Sequence, residues 1–247
     1  MLDARRAALA HLIDHAPLFP PASLSVADAI DEDRRAREDE HAWMLARLVW
    51  PSSKLGELEG EDRAVSVLLD EGLSVTVPLS PFVEAVETRW EAGLDGLSGE
   101  AYVELPLGEG LEQKIGTLAE RSLRAKVRCG GAEVPNPDAL ARFVRACRER
   151  GLAFKATAGL HHAVRGDVEH GFLNLLAATA FEGDEEAALE ETDAEAFSLD
   201  ASAFTWRGRS ASAEDIVRVR RELFHSIGSC SFFEPVEELE ALRMLPS

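Results

Sequence analysis

The chain has 247 residues, of which 46% are hydrophobic, and its formal net charge at pH 7 is −19. A chain of this length and composition can bury a large hydrophobic core within one globular domain. The excess of acidic residues argues against binding to DNA, RNA or a membrane surface, because these polyanions are recognised through basic protein surface.

The three cysteines, Cys129, Cys147 and Cys230, are far apart in the sequence and have no CxxC spacing. They predict neither a disulfide framework nor a structural zinc site. The N-terminus lacks a long apolar run after its charged residues, and no apolar stretch of about 18 residues occurs elsewhere. We therefore expect a cytoplasmic protein without a membrane anchor. A homo-oligomer is compatible with these features.

Residues 1 to 41 have helical spacing of apolar residues and are predicted to form a helical lead-in that packs on a second unit, residues 42 to 247. In that second unit strand-like runs alternate with amphipathic helical segments, which is typical of a parallel sheet with crossover helices. The predicted strands lie at residues 42–50, 63–69, 73–79, 101–107, 124–129, 152–158, a weak one within 197–206, and 229–234. This strand number and chain length favour an α/β fold of the (β/α)8, TIM-like barrel type over an open sheet. Only residues 70 to 72 separate the second and third strands, too few for a crossover helix, so we expect a distortion there.

Helix signals mark several of the connections. Asn136 and Pro137 supply an N-cap and a first-turn proline, and Gly151 can end the same helix. Ser212 begins a segment with capping-box spacing. The apolar residues within 82–90 also follow helical spacing and predict a further helix.

Two of the predicted strands each hold a lysine four residues before a glycine, namely Lys126 and Lys155. Alternation along a strand places Arg128 on the face of Lys126 and Thr157 on the face of Lys155. Aligning the strands by their glycines brings the two lysines side by side. Because unpaired charge is costly in a dry core, these faces predict the wall of a polar pocket.

The chemistry expected of this pocket is that of an amine nucleophile. Cations held close together lower one another's pKa, as does desolvation, so Lys126 or Lys155 could form a Schiff base with a carbonyl substrate. Glu104, on the preceding predicted strand, and His161, just after the second lysine strand, are expected to move protons. We predict Lys126, Lys155, Glu104 and His161 as the catalytic residues.

Further polar residues are predicted to hold the substrate. Arg128 would bind its carboxylate or phosphate group. Adjacent residues of an extended segment point in opposite directions, so at most one of His161 and His162 is expected to face the pocket. At the end of the last predicted strand, one register turns Glu234 inward and the other turns Ser231 inward. The predicted substrate-binding residues are Arg128, Thr157, His162, Glu234 and Ser231.

Residues 126–131 and 155–160 resemble the paired K-x-[ST]-x-G strands of the deoxyribose-phosphate aldolase group, class I aldolases of (β/α)8 fold. In that family the lysine of the earlier strand forms the Schiff base and the lysine of the later strand lowers its pKa. The resemblance therefore implies Lys126 as nucleophile and Lys155 as its activator. Arg128 occupies the position of the small hydroxyl residue, whereas Lys155 with Thr157 fits the first motif, so which lysine attacks stays open.

The sequence thus predicts an aldolase-like lyase that forms a lysine Schiff base with a small anionic carbonyl metabolite and needs no cofactor or metal. One alternative is a barrel that binds an anionic metabolite without turning it over. Another is a metal-assisted lyase or hydrolase that uses His161 or His162 with Glu104, although the chain has no HExxH or HxH spacing.

Overall fold

The computed structural model describes residues 2–58, 62–70 and 82–246. Its strands are β1 (Ile13–His15), β2 (Leu45–Pro51), β3 (Val65–Leu68), β4 (Val83–Arg89), β5 (Ala101–Glu104), β6 (Arg124–Arg128), β7 (Phe154–Thr157), β8 (Phe197–Leu199), β9 (Ala203–Trp206), β10 (Arg209–Ser212) and β11 (Phe224–Ser229). Eight of them form a closed parallel barrel in the order β1-β11-β7-β6-β5-β4-β3-β2. The predicted (β/α)8, TIM-like barrel is therefore confirmed.

Helices surround the barrel. They are α1 (Ala4–Leu9), α2 (Val26–Glu38), α3 (Leu111–Glu120), α4 (Pro137–Arg150), α5 (Phe172–Ala180), α6 (Glu185–Glu190), α7 (Ala213–Glu222) and α8 (Phe233–Ala241). Two connections instead carry 3₁₀ turns, Ser52–Leu58 after β2 and Trp90–Ala92 after β4. Within the described ranges, none of the helices has the length and apolar character needed to cross a membrane.

The predicted helix signals at two sites work as expected. The Asn136 side chain accepts a hydrogen bond from the backbone N–H of Ala139 at 2.8 Å, and Gly151 ends α4 in the left-handed conformation. Ser212 and Asp215 form a reciprocal capping box at the start of α7. These side chains satisfy backbone groups that a helix end would otherwise leave unpaired.

Residues 1 to 41 contribute more than the predicted helical lead-in. They contain α1 and α2, but β1 lies between these helices and pairs in parallel with both β11 and β2. The barrel therefore begins before residue 41. β1 has only three residues, all of them buried, and so short a run gives no alternation of polar and apolar residues to detect.

Two other segments were predicted wrongly. Residues 82–90 do not form a helix, since Val83–Arg89 is the strand β4. Residues 229–234 are not the last strand, because β11 ends at Ser229 and α8 begins at Phe233. In both places apolar residues occur at spacings that fit either period, and barrel pairing decides the outcome.

The remaining strand predictions have mixed outcomes. The weak strand expected within 197–206 belongs to a separate antiparallel sheet of order β10-β9-β8, outside the barrel. The strand predicted at 73–79 lies outside the described residues. β3 pairs in parallel with β4, so the described strands form no hairpin at this point.

The two lysine strands are arranged as their sequences predict. The register places Lys126 beside Lys155 and Arg128 beside Thr157. The alternate residues, among them Val127 and Ala156, are fully buried in the apolar core between barrel and helices. One face of each strand therefore packs against helices, and the other faces the barrel interior.

The glycine that follows each lysine strand has a structural reason. A Cβ added to Gly130 would lie 2.7 Å from the Cα of Gly159, and Gly159 itself has a φ of +66°. The backbones that leave β6 and β7 therefore approach too closely for any side chain at Gly130. The repeated glycine allows this contact at the carboxyl end of the barrel.

Candidate functional site

A network of charged side chains fills the barrel interior, and Lys155 is at its centre. The Lys155 ammonium group, on β7, donates to Asp14 Oδ2 at 2.5 Å and to Glu87 Oε1 at 2.6 Å. Asp14 belongs to β1 and Glu87 to β4, and all three side chains are buried. Three barrel strands are thus joined through one ammonium group.

Lys126, on β6, shares one of these acids. Its Nζ lies 3.1 Å from Glu87 Oε2 and 3.0 Å from Glu104 Oε2, on β5. Glu87 therefore bridges the two lysines through its two carboxylate oxygens. Both ammonium groups have carboxylate partners, so burying their charge is compensated.

Hydroxyl groups complete the hydrogen bonding of the buried acids. Ser66 Oγ, on β3, donates to Glu87 Oε1 at 2.8 Å. Ser226 Oγ, on β11, donates to Asp14 Oδ2 at 2.7 Å. Because each carboxylate is held by several donors, its position is fixed.

The network sets the protonation states of Glu87 and Lys155. Burial opposes the charge of Glu87, but the ammonium groups of Lys155 and Lys126 outweigh it and lower the pKa of Glu87 to about 2. Burial likewise opposes the charge of Lys155, but Asp14 and Glu87 raise its pKa well above the ordinary value. The prediction that neighbouring cations lower the pKa is therefore wrong for Lys155, which stays an ammonium group.

A cavity of about 530 Å³ opens at the carboxyl ends of the barrel strands. Lys126 lines the buried end of this cavity, whereas Lys155 does not line it and is 0% exposed. Active sites of this barrel type lie at the same end. Of the two lysines, Lys126 is thus the one that a bound molecule can reach.

Two of the predicted substrate-binding residues also line the cavity. Arg128 follows Lys126 on the inward face of β6, and Thr157 ends β7. Arg89, which was not predicted, lines the cavity from the end of β4.

His161 lies on the loop that follows β7 and lines the cavity. Its Nδ1 is 3.2 Å from Glu234 Oε2 and 3.7 Å from the Cys230 Sγ, which also lines the cavity. His161 is 9% exposed and borders the cavity, so a bound molecule can contact it. Glu234 does not line the cavity, so it contacts His161 from outside the cavity.

Two predicted substrate-binding residues lie elsewhere. The His162 side chain is about half exposed and pairs with Glu238 and Glu169. The hydrogen bond to Glu238 raises the pKa of His162, and burial opposes this effect without cancelling it. Ser231 is among neither the cavity-lining nor the network residues, and its Oγ accepts a hydrogen bond from the backbone N–H of Glu234. The turn after β11 leads into α8 and carries Ser231 away from the cavity. Neither residue is therefore placed to hold a ligand in this cavity.

Asp14, Glu87 and Arg89 were not predicted from the sequence. Asp14 lies on the three-residue strand β1, and the other two lie on β4, which was interpreted as a helix. Alternation along β4 offered a usable signal, since Glu87 and Arg89 are two residues apart and therefore share a face.

No group of three or more His, Cys, Asp or Glu side chains within residues 2–58, 62–70 and 82–246 is arranged to hold a metal ion. The acids of the barrel interior instead bind ammonium groups.

Comparisons with known proteins add no relative to this description. No model of a protein family matches the chain. Neither the curated proteins nor the solved structures gave a match.

Proposed function

We propose that the protein is an aldolase-like lyase in which Lys126 forms a Schiff base with a small anionic carbonyl compound. The observation that supports it is the position of the Lys126 amine, which lies at the buried end of the cavity beside Glu104 and Glu87. Lys155 keeps its proton because two buried carboxylates hold it. The choice between the two lysines therefore falls on Lys126.

Glu104 is the base that activates the amine in this proposal. It is 3.0 Å from the Lys126 Nζ and more exposed than Glu87, whose pKa is too low for it to take up a proton near neutrality. The ammonium group of Lys126 gives one proton to Glu104, and the free amine attacks the carbonyl carbon. A second proton moves from nitrogen to the former carbonyl oxygen, which gives the carbinolamine.

Loss of water completes the imine. Glu104 returns its proton to the carbinolamine hydroxyl, which leaves as water, and the C–N bond becomes the protonated imine. The sum of these steps is one ammonium group and one carbonyl converted to one iminium group and one water. The iminium group then accepts the electron pair of the carbon–carbon bond that breaks, which leaves an enamine on Lys126, while the substrate hydroxyl gives its proton to His161 and becomes the carbonyl of the released fragment. His161 returns this proton to the enamine carbon, and water hydrolyses the resulting iminium group, which gives the second carbonyl product and frees Lys126.

Lys155 acts as a positioning residue. Its ammonium group fixes Glu87 on one side of Lys126, which leaves Glu104 as the acid free to exchange protons.

Reduction with borohydride tests the proposal. The protein is incubated with a panel of small aldehydes and 2-oxo acids, reduced, digested and mapped by mass spectrometry. We expect a reduced adduct on Lys126 and none on Lys155. The adduct should be lost in Lys126→Met and kept in Lys114→Met, since Lys114 lies on α3 and binds the backbone carbonyl of Glu109.

Failure would have a clear form in this experiment. An adduct spread equally over Lys114 and Lys126, or no adduct with any compound in the panel, contradicts Schiff-base chemistry. Mapping of the wild-type chain supplies this result without depending on the stability of any variant.

A second candidate is binding of an anionic metabolite without turnover. The observation that favours it is that two carboxylates, Glu87 and Glu104, already contact the Lys126 Nζ. Stabilisation of the protein against heat by phosphate or carboxylate compounds, together with the absence of any borohydride adduct, would support this candidate over the first.

A further inference from the structure

We propose that the ligand of this cavity carries two negative charges at one end, bound by Arg89 and Arg128, and an apolar group at the other. The inference rests on the proposed function only in taking the cavity as the substrate site. It assigns a substrate class, namely dianionic carbonyl compounds with a hydrocarbon portion.

The first observation is that both guanidinium groups lack an acid. Arg89 and Arg128 line the cavity, and no carboxylate in the described part of the chain lies within ion-pair distance of either. In a protein with a net charge of −19, acids are in excess. At the opposite end of the barrel, Arg47 and Arg124 both pair with Glu100.

The second observation is the position of Arg89 and Arg128 relative to the Lys126 amine. Arg89 on β4 is level with Glu104 on β5, which is level with Lys126 on β6. Arg128 lies two residues beyond Lys126 on the same face. Because adjacent strands are about 4.8 Å apart, the two arginine strands are separated by about 10 Å. The guanidinium groups thus enter the cavity from two strands that are a quarter of the barrel apart.

Gly131 leaves space for the Arg128 guanidinium group. A Cβ added to Gly131 would lie 3.0 Å from Arg128 Nη2, and Gly131 has a φ of +103°. The guanidinium therefore rests against backbone that has no side chain. Such a supported, permanently charged group is suited to bidentate binding of a carboxylate or phosphate.

The other acids of the cavity leave this positive charge uncompensated. Glu87 is held by Lys126 and Lys155. Glu169 lines the cavity but lies 3.3 Å from His162 Nε2. Two guanidinium groups therefore remain for a ligand, and two negative charges match them.

The part of the cavity wall that continues from β4 around the barrel is apolar. It is formed by residues that follow or belong to the neighbouring strands β1, β2 and β3, namely Phe19, Pro20, Pro21, Val49 and Leu68. A ligand that fills both halves needs a hydrocarbon part as well as its charges. The volume of about 530 Å³ lies within the range of small-molecule sites, which is about 300 to 1,000 Å³.

Binding of compounds without a carbonyl group tests the inference separately from the chemistry. Two probes, phenyl phosphate and phenylsuccinate, carry two negative charges at pH 8 and an apolar ring. Methyl phosphate lacks the ring, and benzoate carries the ring with only one charge. Isothermal titration calorimetry at low salt gives each Kd. We expect both aromatic dianions to bind at least about tenfold more tightly than benzoate and than methyl phosphate. The tighter of the two shows whether the site prefers a phosphate or two carboxylates.

Variants assign the effect to the named residues. Arg89→Gln and Arg128→Gln should each weaken phenyl phosphate at least about tenfold and leave benzoate within a few fold. The matched control is Arg121→Gln, which removes the same charge from an exposed pair with Asp95 and should change nothing. Leu68→Ala should weaken phenyl phosphate and spare methyl phosphate.

Three results would overturn the inference: equal affinity of phenyl phosphate and benzoate, unchanged dianion binding in both cavity arginine variants, or no binding of any probe to the wild-type protein. None of them depends on imine formation. A borohydride adduct on Lys126 without dianion binding would leave the Schiff-base proposal standing and remove this one. Dianion binding without an adduct would do the reverse.

Discussion

Replacing Glu87 by glutamine is expected to lower the free energy of unfolding by about 3 kcal/mol at pH 7. Glutamine has nearly the same shape but lacks the charge that holds Lys126 and Lys155. The pKa of Glu87 is lowered from 4.5 to about 2 in the folded protein. With about 1.4 kcal/mol for each tenfold change in the proton equilibrium, this difference is worth about 3 kcal/mol. Breaking one partner of a buried ion pair costs a similar amount.

The same shift predicts how this cost depends on pH. The folded pKa of Glu87 lies below the unfolded one, so the stabilisation is complete above pH 4.5 and is lost as the pH falls towards 2. In that range the wild-type carboxylate becomes protonated and loses the charge that glutamine lacks. The difference between wild type and Glu87→Gln should therefore shrink steadily below pH 4.5.

Urea unfolding followed by circular dichroism at pH 7, 5, 4 and 3 measures both effects. The control is Glu84→Gln, on the same strand, since the Glu84 side chain is 52% exposed and its partner Arg47 keeps a second carboxylate, Glu100. Loss of an acid that is half exposed to solvent should cost about 0 to 1 kcal/mol. An equal cost of the two substitutions at pH 7, or a Glu87→Gln cost that is the same at pH 3 as at pH 7, would refute the reasoning.

Three further changes test other parts of the fold by the same unfolding measurement. Gly130→Ala should cost about 1 to 3 kcal/mol because its Cβ meets backbone at 2.7 Å, whereas Gly108→Ala, with nothing within 4 Å, should cost far less. Asn136→Ala removes the N-cap of α4 and should cost about 1 kcal/mol, and an unchanged stability would show that water replaces the cap. Burial opposes the charge of His15, but the acids of α2 that contact it raise its pKa. The charged His15 side chain thus stabilises the folded protein fully at low pH, and this stabilisation is lost as the pH rises above 6.5 through the folded pKa. His15→Gln should therefore cost more at pH 6 than at pH 9, and the opposite order would contradict this assignment.

The sequence was most informative where strands repeat a local pattern. In β6 and β7 a lysine precedes a glycine by four residues, and aligning the glycines predicted the observed pairing of Lys126 with Lys155. The glycines are restricted by the contact between Gly130 and Gly159, so the alignment rested on a real structural constraint. The barrel fold was predicted from the number of strand-like segments and the chain length.

Asp14 and Glu87, the two acids that bind Lys155, were not predicted, for a physical reason. Lys155 binds Asp14 and Glu87, which lie 141 and 68 residues away in the sequence. Local patterns give the face on which a side chain lies, but barrel closure decides which distant strands share the interior. Without Asp14 and Glu87 in view, the pKa of Lys155 was expected to fall, and these two carboxylates reverse that direction.

The distribution of charge explains why chemistry is expected at the mouth of the barrel and not at its centre. In the interior, Asp14, Glu87 and Glu104 surround the two ammonium groups, so no ligand charge is needed there. Arg89 and Arg128 project from the next residues along the same strand faces and meet no acid in the described ranges. A bound anion would complete their pairing and bring its carbonyl group towards Lys126, the lysine that belongs to both the network and the cavity wall. The interior, in which three carboxylates hold two ammonium groups, fixes the amine, and the two arginines at the mouth would select the anion that reaches it.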